Sequence, residues 1–80
     1  MKLYVGNLPY AVDDSRIREL FGAYGAPLSA IVVTDRATGR SKGYGFVEMS
    51  DEDALKAIAA LNRSELDGRT IWVNEARAKG

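Results

Sequence analysis

The 80-residue sequence predicts an α+β domain of element order β-α-β-β-α-β, in which a four-stranded antiparallel sheet carries both helices on one face. Three observations predict it. Short stretches alternate aliphatic residues with polar or aromatic ones at the period of a strand. Between them, two stretches place apolar residues at helical spacing behind a capping side chain. The aromatic residues of the strands fall opposite the aliphatic ones, so that one sheet face is packed and the other is open to solvent.

In chain order, Lys2 to Asn7 reads as the first strand, with Leu3 and Val5 on the core side and Lys2, Tyr4 and Gly6 on the other. Leu8-Pro9-Tyr10 is a turn, because Pro9 cannot donate to a ladder. Asp13 is placed to cap the first helix, and Ile17, Leu20, Phe21 and Tyr24 form its apolar stripe. Gly25 suits a left-handed position at the helix C-terminus, and Pro27 prevents continuation. Leu28 to Thr34 is a β-branched second strand whose register alternation leaves open, because nearly all of it is apolar.

A polar loop from Asp35 to Ser41 leads into the third strand, Lys42 to Met49. There Lys42, Tyr44, Phe46 and Glu48 share one face, and Gly43, Gly45, Val47 and Met49 share the other. Ser50 with Asp53 resembles a capping box, with Asp in place of Glu or Gln, and the acids of the first turn suit the helix dipole. Ala54, Ala57, Ile58 and Leu61 form the buried stripe of the second helix. Asn62 to Gly68 is a loop with Leu66 tucked under the sheet edge and a turn at Asp67-Gly68. Thr70 to Asn74 is the fourth strand, with Ile71 and Val73 inward and Trp72 and Asn74 outward. This order is the split βαβ, or ferredoxin-like, arrangement.

Composition narrows the chemistry. With no Cys and no His there are no disulfides, thiolate nucleophiles, imidazole bases or usual zinc ligands. The acids fall at helix starts and turns, so no catalytic residue, metal ligand or cofactor is expected. Gly43 and Gly45 lie within a strand and are followed by no Lys-Ser/Thr pair, which argues against a phosphate-cradling loop. No apolar run is long enough to span a membrane or to serve as a signal-peptide core. The default compartment is the cytoplasm, or an organelle if the chain is a processed or excised domain. Lys plus Arg equal Asp plus Glu at 11 each, which argues against indiscriminate polyanion binding and makes the distribution of charge more informative than its sum. Four aromatics, Tyr4, Tyr44, Phe46 and Trp72, share the helix-free face. Exposed rings beside Lys42 suit the unstacked bases and phosphates of a single-stranded nucleic acid.

The octapeptide Lys42-Gly43-Tyr44-Gly45-Phe46-Val47-Glu48-Met49 resembles the longer signature of the RNA recognition motif family, with Met49 as the one departure, and Leu3-Tyr4-Val5-Gly6-Asn7-Leu8 resembles the shorter. The resemblance covers nearly the whole chain, so residues 1–80 are expected to be one such domain. It implies that Tyr4 and Phe46 stack neighbouring bases, that Tyr44 packs on the sugars between them, and that Lys42 contacts phosphate. It also favours Leu28, Ala30 and Val32 inward, with Ile31 and Val33 on the ring-bearing face. Lys2, Arg36, Arg40, Arg77 and Lys79 are further phosphate candidates. Trp72 is a candidate stacking ring or a shield for its neighbours, and Asn7 a ligand contact or a turn stabiliser. Asn74, Glu75, Ala76 and Arg77 leave the fourth strand where base edges could be read. The expected partner is single-stranded RNA, with single-stranded DNA bound more weakly, no membrane and a monomeric chain. The alternative is a protein-protein interaction module on the same fold.

Overall fold

The computed structural model describes residues 1–76. Strands β1 (Lys2–Gly6), β2 (Ser29–Thr34), β3 (Ser41–Glu48) and β6 (Trp72–Glu75) form an antiparallel sheet in the order β2-β3-β1-β6. Helices α1 (Asp14–Gly22) and α2 (Asp51–Leu61) lie between them in sequence, and β4 (Glu65–Leu66) and β5 (Arg69–Thr70) form a separate small hairpin. The two strands that carry the family signatures are the central pair.

The local causes are those of the sequence pattern. Asp13 accepts the Arg16 amide at 2.9 Å and caps α1. Ser50 accepts the Asp53 amide at 3.4 Å at the start of α2. One face of the sheet closes over Leu3, Val5, Ala30, Val32, Val47, Met49, Ile71 and Val73, and the helices bring Ile17, Phe21, Ala54, Ala57 and Leu61 onto it. Among the described residues no polar or charged residue is buried. Each fully buried large aliphatic or aromatic side chain contributes about 1.5–3 kcal/mol, and with no Cys in the chain this packed face holds the fold without a disulfide. Met49 is fully buried, so its departure from the signature is absorbed in the core. Asp14 accepts the Val32 amide at 2.7 Å, which ties α1 to β2 and occupies a donor of that edge strand.

Several expectations are corrected. Leu28 is not inward: it precedes β2 and is 72% exposed, while Ala30 and Val32 are buried as expected. The run of apolar residues extends past the point where the sheet covers it. Gly25 is not left-handed; α1 is closed by Ala23 in the ordinary helical region, and the Asp53 side chain fills the space a Cβ on Gly25 would need. Thr70 belongs to the hairpin and not to the fourth strand of the main sheet, which starts at Trp72. The Asp67-Gly68 turn expected from the sequence closes that hairpin, both residues having positive φ (49° and 87°) as a two-residue hairpin loop demands. Leu8, expected as part of a turn, and Val12, given no role by the sequence pattern, are core residues at 1% and 3% exposure.

The third strand also departs from simple alternation. Val32 pairs with Gly45 but Thr34 pairs with Ser41, so Lys42, Gly43 and Tyr44 together oppose Val33. This bulge needs a left-handed residue, and Gly43 supplies it at φ 86°. Gly43 therefore does not pack on the helices, as strict parity implied. Gly45 does lie buried, and a Cβ there would strike the Ile31 carbonyl and the β2 backbone.

Candidate nucleic-acid interface

Register brings the aromatic residues together. Tyr4 pairs with Phe46 across β1 and β3, Ile31 pairs with Phe46 across β2 and β3, and Asn74 pairs with Tyr4 across β1 and β6. One row across the sheet is thus Ile31, Phe46, Tyr4 and Asn74, all on the face without helices. Tyr44 lies one strand repeat away from Phe46, and Trp72 lies opposite Gly6.

Three of the rings touch one another. The Tyr4 and Phe46 centroids are 5.9 Å apart with planes at 65°, and those of Tyr44 and Phe46 are 6.2 Å apart at 90°. Tyr4 and Tyr44 are 5.9 Å apart at 31°. These are edge-to-face and tilted contacts, which fix ring planes and leave ring surface free. Gly6 makes the arrangement possible. The Tyr4 ring lies along its own strand over Gly6, where an added Cβ would stand 2.8 Å from Cε2 and 2.9 Å from the hydroxyl oxygen.

The cations are distributed around the rings. Lys2 Nζ stands 5.0 Å from the Phe46 centroid. Lys42 and Arg40 are exposed and border, with Tyr44 and Tyr10, a cleft of about 920 Å³. Arg63 lies 5.8 Å from the Trp72 ring centre. Trp72 is 43% exposed, so its indole both faces solvent and covers neighbours. Glu48 pairs with Lys2 at the far end of the same face.

Asn7 is committed to local structure. Its backbone is left-handed at φ 58°, its Nδ2 donates to the Thr70 carbonyl at 2.6 Å, and its Oδ1 accepts from Arg69 at 2.8 Å. It joins the end of β1 to the β4-β5 hairpin. Of the sequence-derived site residues, the structure gathers Lys2, Tyr4, Tyr44, Phe46, Trp72 and Asn74 on one face, and places Lys42 and Arg40 at its rim. Arg77 and Lys79 lie outside the described residues.

Arg63, beside Trp72, was not singled out in the sequence, and neither were Tyr10 and Arg69. Tyr10, expected only as part of a turn, is 69% exposed at the rim. Arg69, given no role, stands 5.8 Å from the Tyr10 ring centre. An aromatic following Pro9, directly after the shorter signature, was the available signal for Tyr10. Arg69 was illegible, because its position depends on a hairpin whose strands are only two residues long.

A helix-backed antiparallel sheet with an open, ring-bearing face on its two central strands defines a split βαβ domain. The chain belongs to the RNA recognition motif family, whose model matches residues 3–72. It is 53% identical over 79 residues to the chloroplastic 28 kDa ribonucleoprotein of Spinacia oleracea, a match covering 98% of this chain and 34% of that protein. It is 45% identical over 80 residues to glycine-rich RNA-binding protein 7 of Arabidopsis thaliana, covering 99% of this chain and 46% of the relative. The chain thus spans less than half the length of these relatives. Among solved structures it is similar to RNA Binding Protein PG1, with a TM-score of 0.92 and 51% identity over all of this chain and 98% of the other. The Rna15 domain with bound RNA (GU) superposes with a TM-score of 0.86 at 31% identity, covering 96% of this chain and 83% of the other.

Proposed function

We propose that this chain is a single RNA-binding domain, spanning residues 1–80, that holds a few nucleotides of single-stranded RNA on its open sheet face. Tyr4 and Phe46 stack neighbouring bases, Tyr44 packs on the sugars between them, and Lys42, Lys2 and Arg40 meet phosphates. The observation that carries this reading is the mutually supported ring cluster of Tyr4, Tyr44 and Phe46 on a face without helices. Apolar ring surface in water is costly, and a base is a flat ligand that covers it. Asn74, in line with Tyr4 and Phe46, is placed to read a base edge. The domain acts as a monomeric binding module without catalysis. Single-stranded DNA binds more weakly because it lacks the 2′-hydroxyl contacts. The chloroplastic relatives favour the organellar location over the cytoplasmic one.

The test is titration of the protein with a short randomised RNA and with DNA of equal length, alongside Phe46→Ala. RNA binds more tightly than DNA, and the substitution weakens RNA binding by about 1–3 kcal/mol with the fold intact. Unchanged RNA affinity in a folded Phe46→Ala variant would overturn the mechanism.

A further inference from the structure

The loop joining β2 to β3 is a cationic segment with a single exposed hydroxyl. Arg36, Arg40 and the following Lys42 are all exposed, and among the described residues none of them forms an ion pair. The one acid of the loop, Asp35, is committed to the turn itself. Its Oδ1 accepts the Ala37 amide at 2.7 Å, its carbonyl accepts the Gly39 amide at 2.7 Å, and its own amide donates to the Arg40 carbonyl at 2.7 Å. Gly39 turns the chain at φ 74°, and a Cβ there would meet nothing within 4 Å, so this side of the turn is open. Gly39, Arg40 and Lys42 border the cleft of about 920 Å³ at the rim of the ring-bearing face, and among the described residues no acid lines it.

Thr38 carries the hydroxyl of that loop. It is exposed, and its Oγ1 accepts a long bond, 3.3 Å, from the Arg40 amide. The other serine and threonine hydroxyls lie in surroundings that resist modification. Ser41 Oγ accepts the Gly43 amide at 3.0 Å and supports the β3 bulge. Ser50 caps α2 ahead of three acids, and Ser64 Oγ donates to the Leu61 carbonyl at 2.6 Å. Ser15 follows Asp13 and Asp14, while Ser29, Thr34 and Thr70 lie within strands. Thr38 alone combines an exposed hydroxyl, a loop backbone and a cation two residues to either side, Arg36 and Arg40.

We infer that Thr38 is a phosphorylation site, and that a phosphoryl group there closes the cationic end of the open face to RNA. The modifying enzyme is a serine/threonine protein kinase whose acidic groove reads the two flanking arginines. In the transfer, the bond from Thr38 Oγ1 to the terminal phosphorus of a nucleoside triphosphate forms and the bond from that phosphorus to the bridging oxygen breaks. The nucleoside diphosphate leaves, and the hydroxyl proton passes to the base of the kinase. The product adds a charge of about −1.5 to −2 and three acceptor oxygens. They extend from an oxygen already at the Arg40 amide, on a loop that also carries Arg36 and leads into Lys42. Charge-assisted bonds to these cations occupy the groups that an RNA phosphate would meet, and the added charge repels the strand. No bond of the main sheet involves Thr38, so the modified domain keeps its fold. The site is independent of how RNA is held, whereas its effect on binding rests on the RNA-binding reading above.

The experiment uses the whole chain in two forms, unmodified and assembled by chemical synthesis with phosphothreonine in place of Thr38. Incubation of the unmodified chain with a cation-directed serine/threonine kinase and magnesium ATP adds one phosphoryl group, which tandem mass spectrometry places on Thr38. Thr38→Ala takes up none. Labelling at another residue, or no labelling, overturns the site. Against a short randomised RNA at low salt, the phosphorylated form binds about 5- to 30-fold more weakly, the range for one to two unit charges acting over about 4 Å in water. The gap narrows as salt rises, because exposed charges are screened. Thr38→Ala binds RNA as the parent does, since the hydroxyl itself makes no contact with the strand. Equal RNA affinity of the two forms, or a gap that salt leaves unchanged, overturns the switch. Their thermal melts coincide, and a lowered melt of the phosphorylated form would overturn the electrostatic account in favour of local unfolding. Absence of RNA binding by the unmodified chain strikes the RNA-binding reading and the switch with it, while the labelling result is decided separately.

Discussion

Gly6→Ala offers a sharp test of the ring geometry. The Cβ it adds would stand 2.8 Å from Cε2 of Tyr4, and ordinary contact begins near 3.4 Å, so the ring edge must retreat by about half an ångström or more. All three nearest atoms belong to the far end of the Tyr4 side chain, so the ring swings and the backbone stays. Forcing the side chain off its rotamer costs of order 0.5–1.5 kcal/mol. Replacing a strand glycine by alanine returns about 0.5–1 kcal/mol of backbone entropy. Stability therefore changes by no more than about 1 kcal/mol. Affinity responds more strongly, because the Tyr4 plane leaves the position at which it stacks a base beside Phe46, and loss of that stack is worth about 1–3 kcal/mol. A double-mutant cycle isolates the cause: once Tyr4→Ala has removed the ring, Gly6→Ala costs nothing further in RNA affinity. The assay is RNA titration of the parent, both single variants and the double variant, with melting of each. Parent-like affinity in Gly6→Ala, or losses that simply add in the double variant, would refute the claim that Gly6 acts through Tyr4.

Three further outcomes are expected. Trp72→Ala weakens RNA binding by about 1–3 kcal/mol, and RNA quenches Trp72 fluorescence in the parent; unchanged affinity in the folded variant removes Trp72 from the site. Gly45→Ala is far more damaging than Gly6→Ala, because its Cβ meets the Ile31 carbonyl and lies 3.1 Å from the Val32 Cα. Backbone cannot swing aside as a ring can, so the melting temperature falls steeply, and a parent-like melt would show that β2 and β3 can separate locally. With about three phosphates neutralised at once, the log-log salt dependence of RNA affinity has a slope near −2, and a slope steeper than about −5 would reveal a larger electrostatic footprint.

The sequence disclosed the parts of this molecule that obey a period, and obscured those where the period breaks. Alternation alone sent Leu3, Val5, Val47, Ile71 and Val73 inward and Tyr4, Phe46 and Trp72 outward, because a slip of one residue would exchange the two sets. Leu28 escaped this logic, since in an apolar run alternation has no polar partner to mark where coverage ends. The β3 bulge escaped it too. Lys42 and Tyr44 share a parity that reads as one flat face, yet they flank a left-handed Gly43 and stand with it opposite Val33. A bulge bends and twists its strand, and here it lies at the rim of the ring-bearing face. The glycines of the longer signature are therefore not interchangeable small residues. Gly43 turns the backbone, and Gly45 admits the neighbouring strand. Tyr10 neighbours both the bulge and Arg69 of the hairpin; the sequence shows the Asp67-Gly68 turn of that hairpin, but its two-residue strands are too short to carry a pattern. Trp72, also outside the signatures, was legible because it stands on a regular strand, whereas the placement of Tyr10 and Arg69 beside one another follows only from irregular backbone.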